Sequence, residues 1–397
     1  MERTAAGLTA AIVVLCGVAG CGDDSDPAGP GEKVSSRAYK GHANDQDMDH
    51  LVAAYPSIAG TRLDDCQSCH TGGQVTTGTR TTFRNACDYC HLVPFPVTGA
   101  TGGPVRFEGT LNPYGLAYKA AGRSPAALRS LAGQDSDGDG YGNAEEIADS
   151  RYPGSPDSRP GQPRAMLRVL DLADLQAMPT HQEFLLANSH KQQFDTYATY
   201  RGVRLRDLLE AVGVDLGEVT GITVVAADGF MKSFGVDAVL RQYPDGVFHS
   251  GLDTGTRGTE CGFVDYPAAL PQGLVDGGRI PDPQWLLLAY QRDGGPMDVS
   301  YLDPVSGKIE GEGPLRLVVP QDPAGAPDRG SSYSPSGCDD GYDLNDGASH
   351  NAGDMVRAVV ALRVDPMPAG VEEFDARNGG WAFVDAGQLV VYGQGIE

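Results

Sequence analysis

Apolar and polar positions divide the chain into three regimes. The first is a continuous apolar run from about Leu8 to Val18, which follows Arg3 and is too short to span a bilayer. The second, residues 41–155, has little sustained periodicity. Its clearest element starts at Ser124 and Pro125, an N-cap and first turn, after which "PAALRSLA" sets Leu128 and Leu131 at helical spacing. The third, residues 164–397, carries short β-branched and aliphatic runs punctuated by glycine. There "AMLRVLDLADLQAMP" predicts a strand and a short helix. "YRGVRLRDLLEAVGV" predicts a glycine turn and a helix presenting Leu205, Leu208 and Leu209 on one face. "GITVVAADGF" and "PQWLLLAYQRDGGPM" read as buried strands ended by Asp-Gly and Gly-Gly turns, with "GEGPLRLVVP" and "MVRAVVALRV" in the same style. "WAFVDAGQLVVYG" reads as a closing hairpin. The fold class expected is α+β: a small, mostly helical and loop unit, then a β-rich α+β unit.

The first regime has the form of a signal peptide, residues 1–20. It ends in "GVAGCGDD", where Ala19 and Gly20 before Cys21 match a bacterial lipobox, so Cys21 is the expected lipidated residue. An ordinary signal peptide with a chance cysteine is the alternative. Cys16 follows Leu15, where the peptidase wants a small residue, and should leave with the signal. Residues 21–40, "GDDSDPAGPGEKVSSR" and its neighbours, read as a disordered tether. The expectation is a cell-envelope protein held to a membrane by lipid only. The expected place of the anchor is the outer membrane or a periplasmic face; Gly22 carries no acidic retention signal, which leans to the outer membrane.

Charge narrows the partners. Acidic residues number 53 against 30 basic ones, a net charge of −23. Affinity for phosphate comes from Lys and Arg, so nucleic acid and anionic lipid surfaces are poor partners. Basic redox proteins or cations suit such a surface, as does plain solubility outside the cell. Of the eight cysteines, one leaves with the signal, one is lipidated and four form two pairs. The remaining two, Cys261 and Cys338, are expected to oxidise to a disulfide in an exported protein, with two separate thiols as the alternative.

The pairs lie in "DDCQSCHTGGQVTTGTRTTFRNACDYCH". Seventeen residues separate Cys69 from Cys87, a spacing that also fits a four-cysteine zinc site. The histidines separate the readings. A c-type haem needs two thiols for thioether bonds and an imidazole on the next residue to reach iron. Cys66, Cys69 and His70 meet that need, as do Cys87, Cys90 and His91. A zinc ribbon has no use for His70 or His91. With 8 histidines in 397 residues, both falling there by chance has odds of roughly one in two thousand. Free dithiols belong beside a strand–helix pattern that is missing here. Two covalent haems are therefore expected. Candidate distal ligands are His42, His50 and Met48 in "KGHANDQDMDHLVAAYP", and His350 in "NDGASHNAGDMVRAVVAL".

"DSDGDGYGNAEE" follows the helix at Ser124. Asp135, Asp137, Asp139, Asn143 and Glu146 occupy positions 1, 3, 5, 9 and 12 of a calcium loop, with Gly140 at the sharp turn and the Tyr141 carbonyl at position 7. Gly142 stands where paired EF-hands carry a branched apolar residue, so the loop resembles the single loops of dockerins and thrombospondin type 3 repeats. Calcium is the expected ion, in a structural role; an acidic solvated turn is the alternative.

"GVRLRDLLEAVGV", "AADGF", "LLLAYQRDGGPM" and "GEGPLRLVVP", in that order, resemble the molybdopterin-binding fold of the sulfite oxidase group. Together with both CxxCH sites, the chain resembles the GEGP-motif dihaem proteins, the motif standing at Gly311, Glu312, Gly313 and Pro314. Sulfite oxidases bind molybdenum through a cysteine shortly before the Gly-Val helix. The matching interval here, "HQEFLLANSHKQQFDTYATY", has none, and long basic stretches for a pterin pyrophosphate are missing too. The resemblance therefore implies the fold without molybdopterin. Glu312 and Arg316 read as the shaping of a turn, or as a site in themselves. The expected function is an exported dihaem electron carrier acting between redox partner proteins. The alternatives are a haem enzyme, a peroxidase or reductase with one five-coordinate iron, and a redox- or ligand-sensing protein using its C-terminal region.

Overall fold

The computed structural model describes residues 46–70, 73–77, 80–84, 111–253, 261–302, 309–333, 338, 341–374 and 380–396. Cys21, His42, Cys87, Cys90 and His91 lie outside the described residues, as do the signal and tether regions. The architecture is α+β, with β-sheets and short helices. No helix among the described residues is long and apolar enough to cross a membrane.

Among the described residues, four α-helices build the N-terminal part: α1 (Gln46–Ala54), α2 (Pro113–Ala120), α3 (Pro125–Ser130) and α4 (Asn143–Ala148). Local signals set their starts. Asn112 and Ser124 cap α2 and α3, their side-chain oxygens accepting from Gly115 N at 2.8 Å and Ala127 N at 3.1 Å, and proline stands in each first turn. The apolar faces of the helices meet in one cluster, where Leu51, Leu63, Tyr114, Leu128 and Tyr152 are buried. Between the two CxxCH motifs the chain forms a hairpin, Gly73–Thr77 paired with Arg80–Arg84.

Two larger sheets form the frame of the remainder among the described residues. The strands of the first are β1 (Leu167–Asp171), β4 (Gly221–Ala226), β5 (Met231–Gly235), β8 (Val359–Asp365) and β9 (Gln388–Gly393), ordered β1-β9-β8-β4-β5, with β8 and β9 parallel and the rest antiparallel. The second holds β2 (His181–Ala187), β3 (Asp195–Arg204), β6 (Leu287–Arg292) and β7 (Arg316–Val318), with β3 between β2 and β6 and with β7 on the other side of β6. Strands covered on both faces need apolar residues at successive positions. In β4, Ile222 and Val224 face the core shared by the sheets, and Val225 faces the opposite side. Leu389 and Val391 of β9 likewise point inward, with Val390 and Tyr392 outward. The shared core also takes Leu205, Leu208 and Leu209 from the helix Leu205–Ala211. Each such leucine contributes about 1.5–3 kcal/mol over an exposed one.

Two sequence readings are corrected. Gly202 does not turn the chain but continues β3, where a Cβ would fall 2.0 Å from the Leu288 carbonyl oxygen. Glycine is needed there because β6 approaches too closely for any side chain. "WAFVDAG" is no hairpin strand: Gly380–Ala386 is a helix that buries Phe383 and Val384 against the outer face of the first sheet before β9 begins. The "RDGG" turn matches its reading, with Asp293 and Gly294 both at positive φ between the paired Arg292 and Gly295. Cys261 and Cys338 are joined by a disulfide with a Cα–Cα distance of 5.5 Å.

Candidate functional site

The segment Cys66–Ser68 is a short 3-10 turn, and His70 pairs with Leu111 in an isolated bridge. Its shape is written into neighbouring polar groups. Buried Asp65 accepts from Gln67 N at 2.8 Å, and the Ser68 hydroxyl donates to the Leu63 carbonyl at 2.7 Å. Asn112 then fastens the turn to α2. Its backbone N–H donates to the Cys69 carbonyl at 2.9 Å, and its side-chain amide donates to the Gln67 and Ser68 carbonyls, both at 3.2 Å. The same side chain caps α2, so one buried residue holds both elements. Close packing confirms the fastening: a Cβ at Gly115 would fall 2.3 Å from the Cys69 carbonyl, and one at Gly154 would fall 2.4 Å from Asn112 Oδ1. Replacing Asn112 with alanine is expected to destabilise this part by about 2 kcal/mol, from a lost cap and two stranded carbonyls. An unchanged urea midpoint would contradict that role.

Cys69 is half-buried and packs on the cluster that contains Met48 and Leu51 of α1. On the same helix, His50 Nδ1 lies 2.8 Å from the Tyr118 hydroxyl, which donates to Asp47 Oδ1 at 2.9 Å. Arg123 completes the set, donating to both Asp47 oxygens at 3.2 and 2.5 Å. Burial would raise the Asp47 carboxyl, but the bonds from Arg123 and Tyr118 hold it below its usual range. Burial and the Asp47 carboxylate push the Tyr118 phenol up, and Cys69 lies close enough to add to that rise. Met48 itself is buried in the core.

His350, the other candidate ligand among the described residues, stands elsewhere. It packs edge-on against His190 with ring centres 4.8 Å apart, and its Nε2 faces Asp328 Oδ2 at 3.3 Å. Asp328 is buried and also accepts from Asn188 Nδ2 at 2.9 Å and Asn345 N at 2.7 Å.

The acidic loop gathers the residues its spacing singled out. Carboxylate oxygens of Asp135, Asp137 and Asp139 lie within 4.8 Å of one another. Gly138 and Gly140 take φ of +83° and +102°, which side chains resist, and this lets Asp135 accept from Gly138 N at 2.7 Å and Gly140 N at 2.9 Å. Glu146, on α4, is fully buried, yet neither of its oxygens meets a hydrogen-bond donor among the described residues. Asp137 Oδ2 and Asp139 Oδ2 are in the same condition, with Arg159 Nε 3.7 Å from the latter. Burial, then the facing Asp137, Asp139 and Asp135, push Glu146 up to about 8; burial and Asp139 push Asp137 up to about 6. Uncompensated buried carboxylates of this kind fit a hard divalent cation. Asn143 is also held by the protein: its Oδ1 accepts from Ser136 N at 3.3 Å and its Nδ2 donates to the Leu131 carbonyl at 2.8 Å. Tyr141 N donates to Asp139 Oδ1 at 2.9 Å, which fixes the peptide at position 7.

Glu312 forms ion pairs with Arg316 Nη1 at 2.5 Å and Arg292 Nη1 at 2.8 Å. Gly311 and Gly313 lie against the 297–299 backbone, where a Cβ on either would fall 2.8–2.9 Å from a carbonyl oxygen. Burial would raise the Glu312 carboxyl, but the two guanidiniums overcome it and hold it below the usual carboxylate range. The stability it supplies is therefore full above the ordinary glutamate value, about 4.3, and is lost as pH falls through its lowered one. Glu312→Gln is expected to cost about 2 kcal/mol at neutral pH. The gap from wild type in urea midpoint should close as pH drops below about 4; a constant gap would contradict the pairing.

Sequence reading missed Asn112, Asp47, Tyr118 and Arg123. "NPYG" was a legible cap signal for Asn112. Tyr118 meets His50, and Arg123 meets Asp47, across about seventy residues, and no local pattern marks them. No protein-family profile matches the chain, and no curated protein matches it either.

Proposed function

We propose that the chain is an exported dihaem c-type cytochrome lipoprotein that carries single electrons between redox partner proteins of the cell envelope. The observation that carries the reading is the pair of CxxCH motifs, each with its thiols and imidazole in adjacent positions. When bound, the haems would supply one-electron redox chemistry. Cys66 and Cys69 would anchor the first porphyrin and His70 would take its iron; Cys87, Cys90 and His91 would do the same for the second. The fastening of the Cys66–Ser68 turn by Asn112 supports this, because a preset turn holds an imidazole at one distance and angle.

Calcium is the cation proposed for the acidic loop, through Asp135, Asp137, Asp139, the Tyr141 carbonyl, Asn143 and Glu146. Lipid on Cys21 would anchor the chain to the membrane, and the acidic surface favours basic redox partners over nucleic acid. The C-terminal sheets are proposed to follow the sulfite oxidase-type fold without molybdopterin, in the manner of the GEGP-motif dihaem proteins. Ferric and ferrous optical spectra with added carbon monoxide test the carrier role. Low-spin bands for both haems and no carbon monoxide shift are expected. A high-spin haem that binds carbon monoxide would replace the carrier with an enzyme.

A further inference from the structure

The Cys66–His70 turn offers iron a ligand on one side only, so a low-spin carrier needs a second imidazole or thioether from another element. Side chains of α1 and α2, with Arg123 just beyond α2, decide which. Asp47 is held by Arg123 through two bonds and accepts the Tyr118 hydroxyl at 2.9 Å. A phenol has a single proton, and here it points at the carboxylate. The Tyr118 oxygen must therefore meet His50 Nδ1, 2.8 Å away, as an acceptor. The proton of His50 is thus fixed on Nδ1, which leaves the Nε2 lone pair to bind a metal. Metal-bound histidines are commonly oriented this way, by an acceptor on the nitrogen remote from the ion. Cys69 packs on the same cluster as Met48 and Leu51 of α1 and as Tyr118, so the first CxxCH turn and the helix that carries His50 share one core. His350 differs, since its Nε2 already faces Asp328.

We propose that His50 is the distal ligand of the first haem and that Tyr118, Asp47 and Arg123 are its positioning residues. The inference rests on the dihaem reading above and deepens it. The test uses the full chain, matured with its haems, and begins with haem content. In His50→Ala, two haems per chain should remain while one changes from low-spin to high-spin in the ferric optical and electron paramagnetic resonance spectra. Added imidazole should restore the low-spin signal, which loss of folding would not allow. In Tyr118→Phe both haems should stay low-spin, but one low-spin resonance should shift. Its midpoint potential should rise as well, because an Nδ1–H without an acceptor leaves a less basic imidazole. Two fully low-spin haems in His50→Ala would overturn the ligand assignment alone. Unaltered resonance and potential in Tyr118→Phe would overturn the positioning role. A chain without covalent haem would overturn the dihaem reading itself, and the haem count reveals that before any spectrum is compared.

Discussion

Replacing Glu372 with alanine is expected to destabilise the junction between the N-terminal helices and the sheets by about 3–5 kcal/mol, the loss typical of a broken buried ion pair. Glu372 is buried, and its carboxylate meets Arg62 Nη2 at 2.8 Å, the Arg151 guanidinium, Arg164 Nε at 3.9 Å and the Ser158 hydroxyl at 2.7 Å. Its backbone is tied in as well, donating to the Pro163 carbonyl at 2.8 Å and accepting from Ala165 N at 2.9 Å. Removing the carboxylate leaves Arg62 and Arg151 as buried cations around a deleted charge. Arg62 lies over the Tyr152 ring and shortly before Cys66, so the disturbance reaches the first CxxCH turn. Calorimetry should show the N-terminal transition separating from that of the sheets and moving to lower temperature. A single transition at the wild-type temperature would show that the cluster is idle.

Chelating calcium is expected to have an effect of similar size. A ligand at a thousand times its dissociation constant adds about 4 kcal/mol to the folded state, and a chelator removes all of it. The gain should be large here because the fully buried Glu146 and two aspartate oxygens otherwise meet no hydrogen-bond donor among the described residues. Glu146→Gln should make the melting temperature insensitive to calcium while leaving the sheets unchanged. Equal melting of wild type with calcium and with chelator would reduce the loop to an acidic turn. The two effects should be coupled, since the Glu146 carbonyl accepts from Arg151 N at 2.7 Å and Arg151 grips Glu372. Combining Glu146→Gln with Glu372→Ala should therefore cost less than the sum of the separate losses.

What the sequence disclosed follows the range of the interactions involved. The strands at 221–226, 359–365 and 388–393 were legible because burial on both faces demands uninterrupted apolar runs. The gathering of the acidic loop was legible because its carboxylates sit within twelve consecutive residues, and the first CxxCH motif because it spans five. "WAFVDAG" was misread because a short apolar run fits helix and strand equally, and packing of Phe383 and Val384 settled it. Gly202 was misread because glycine marks both turns and close strand approach, and only the position of Leu288 tells them apart. Glu372 was invisible: Arg151 lies 221 residues away, and nothing in "AGVEEFDARN" marks Glu372 as the partner of three arginines. His50 was visible as a candidate, but its tautomer depends on Tyr118, 68 residues away, which no local spacing connects to it.

On the proposed reading, two porphyrins are joined to this chain through Cys66, Cys69, Cys87 and Cys90. A pyridine haemochrome assay on the full-length protein, made in a host that attaches haem outside the cytoplasm, measures it most directly. Two haems per chain are predicted, falling to one when Cys66 and Cys69 are both replaced by serine. A colourless protein that holds zinc, or a haem content indifferent to those serines, would contradict the account.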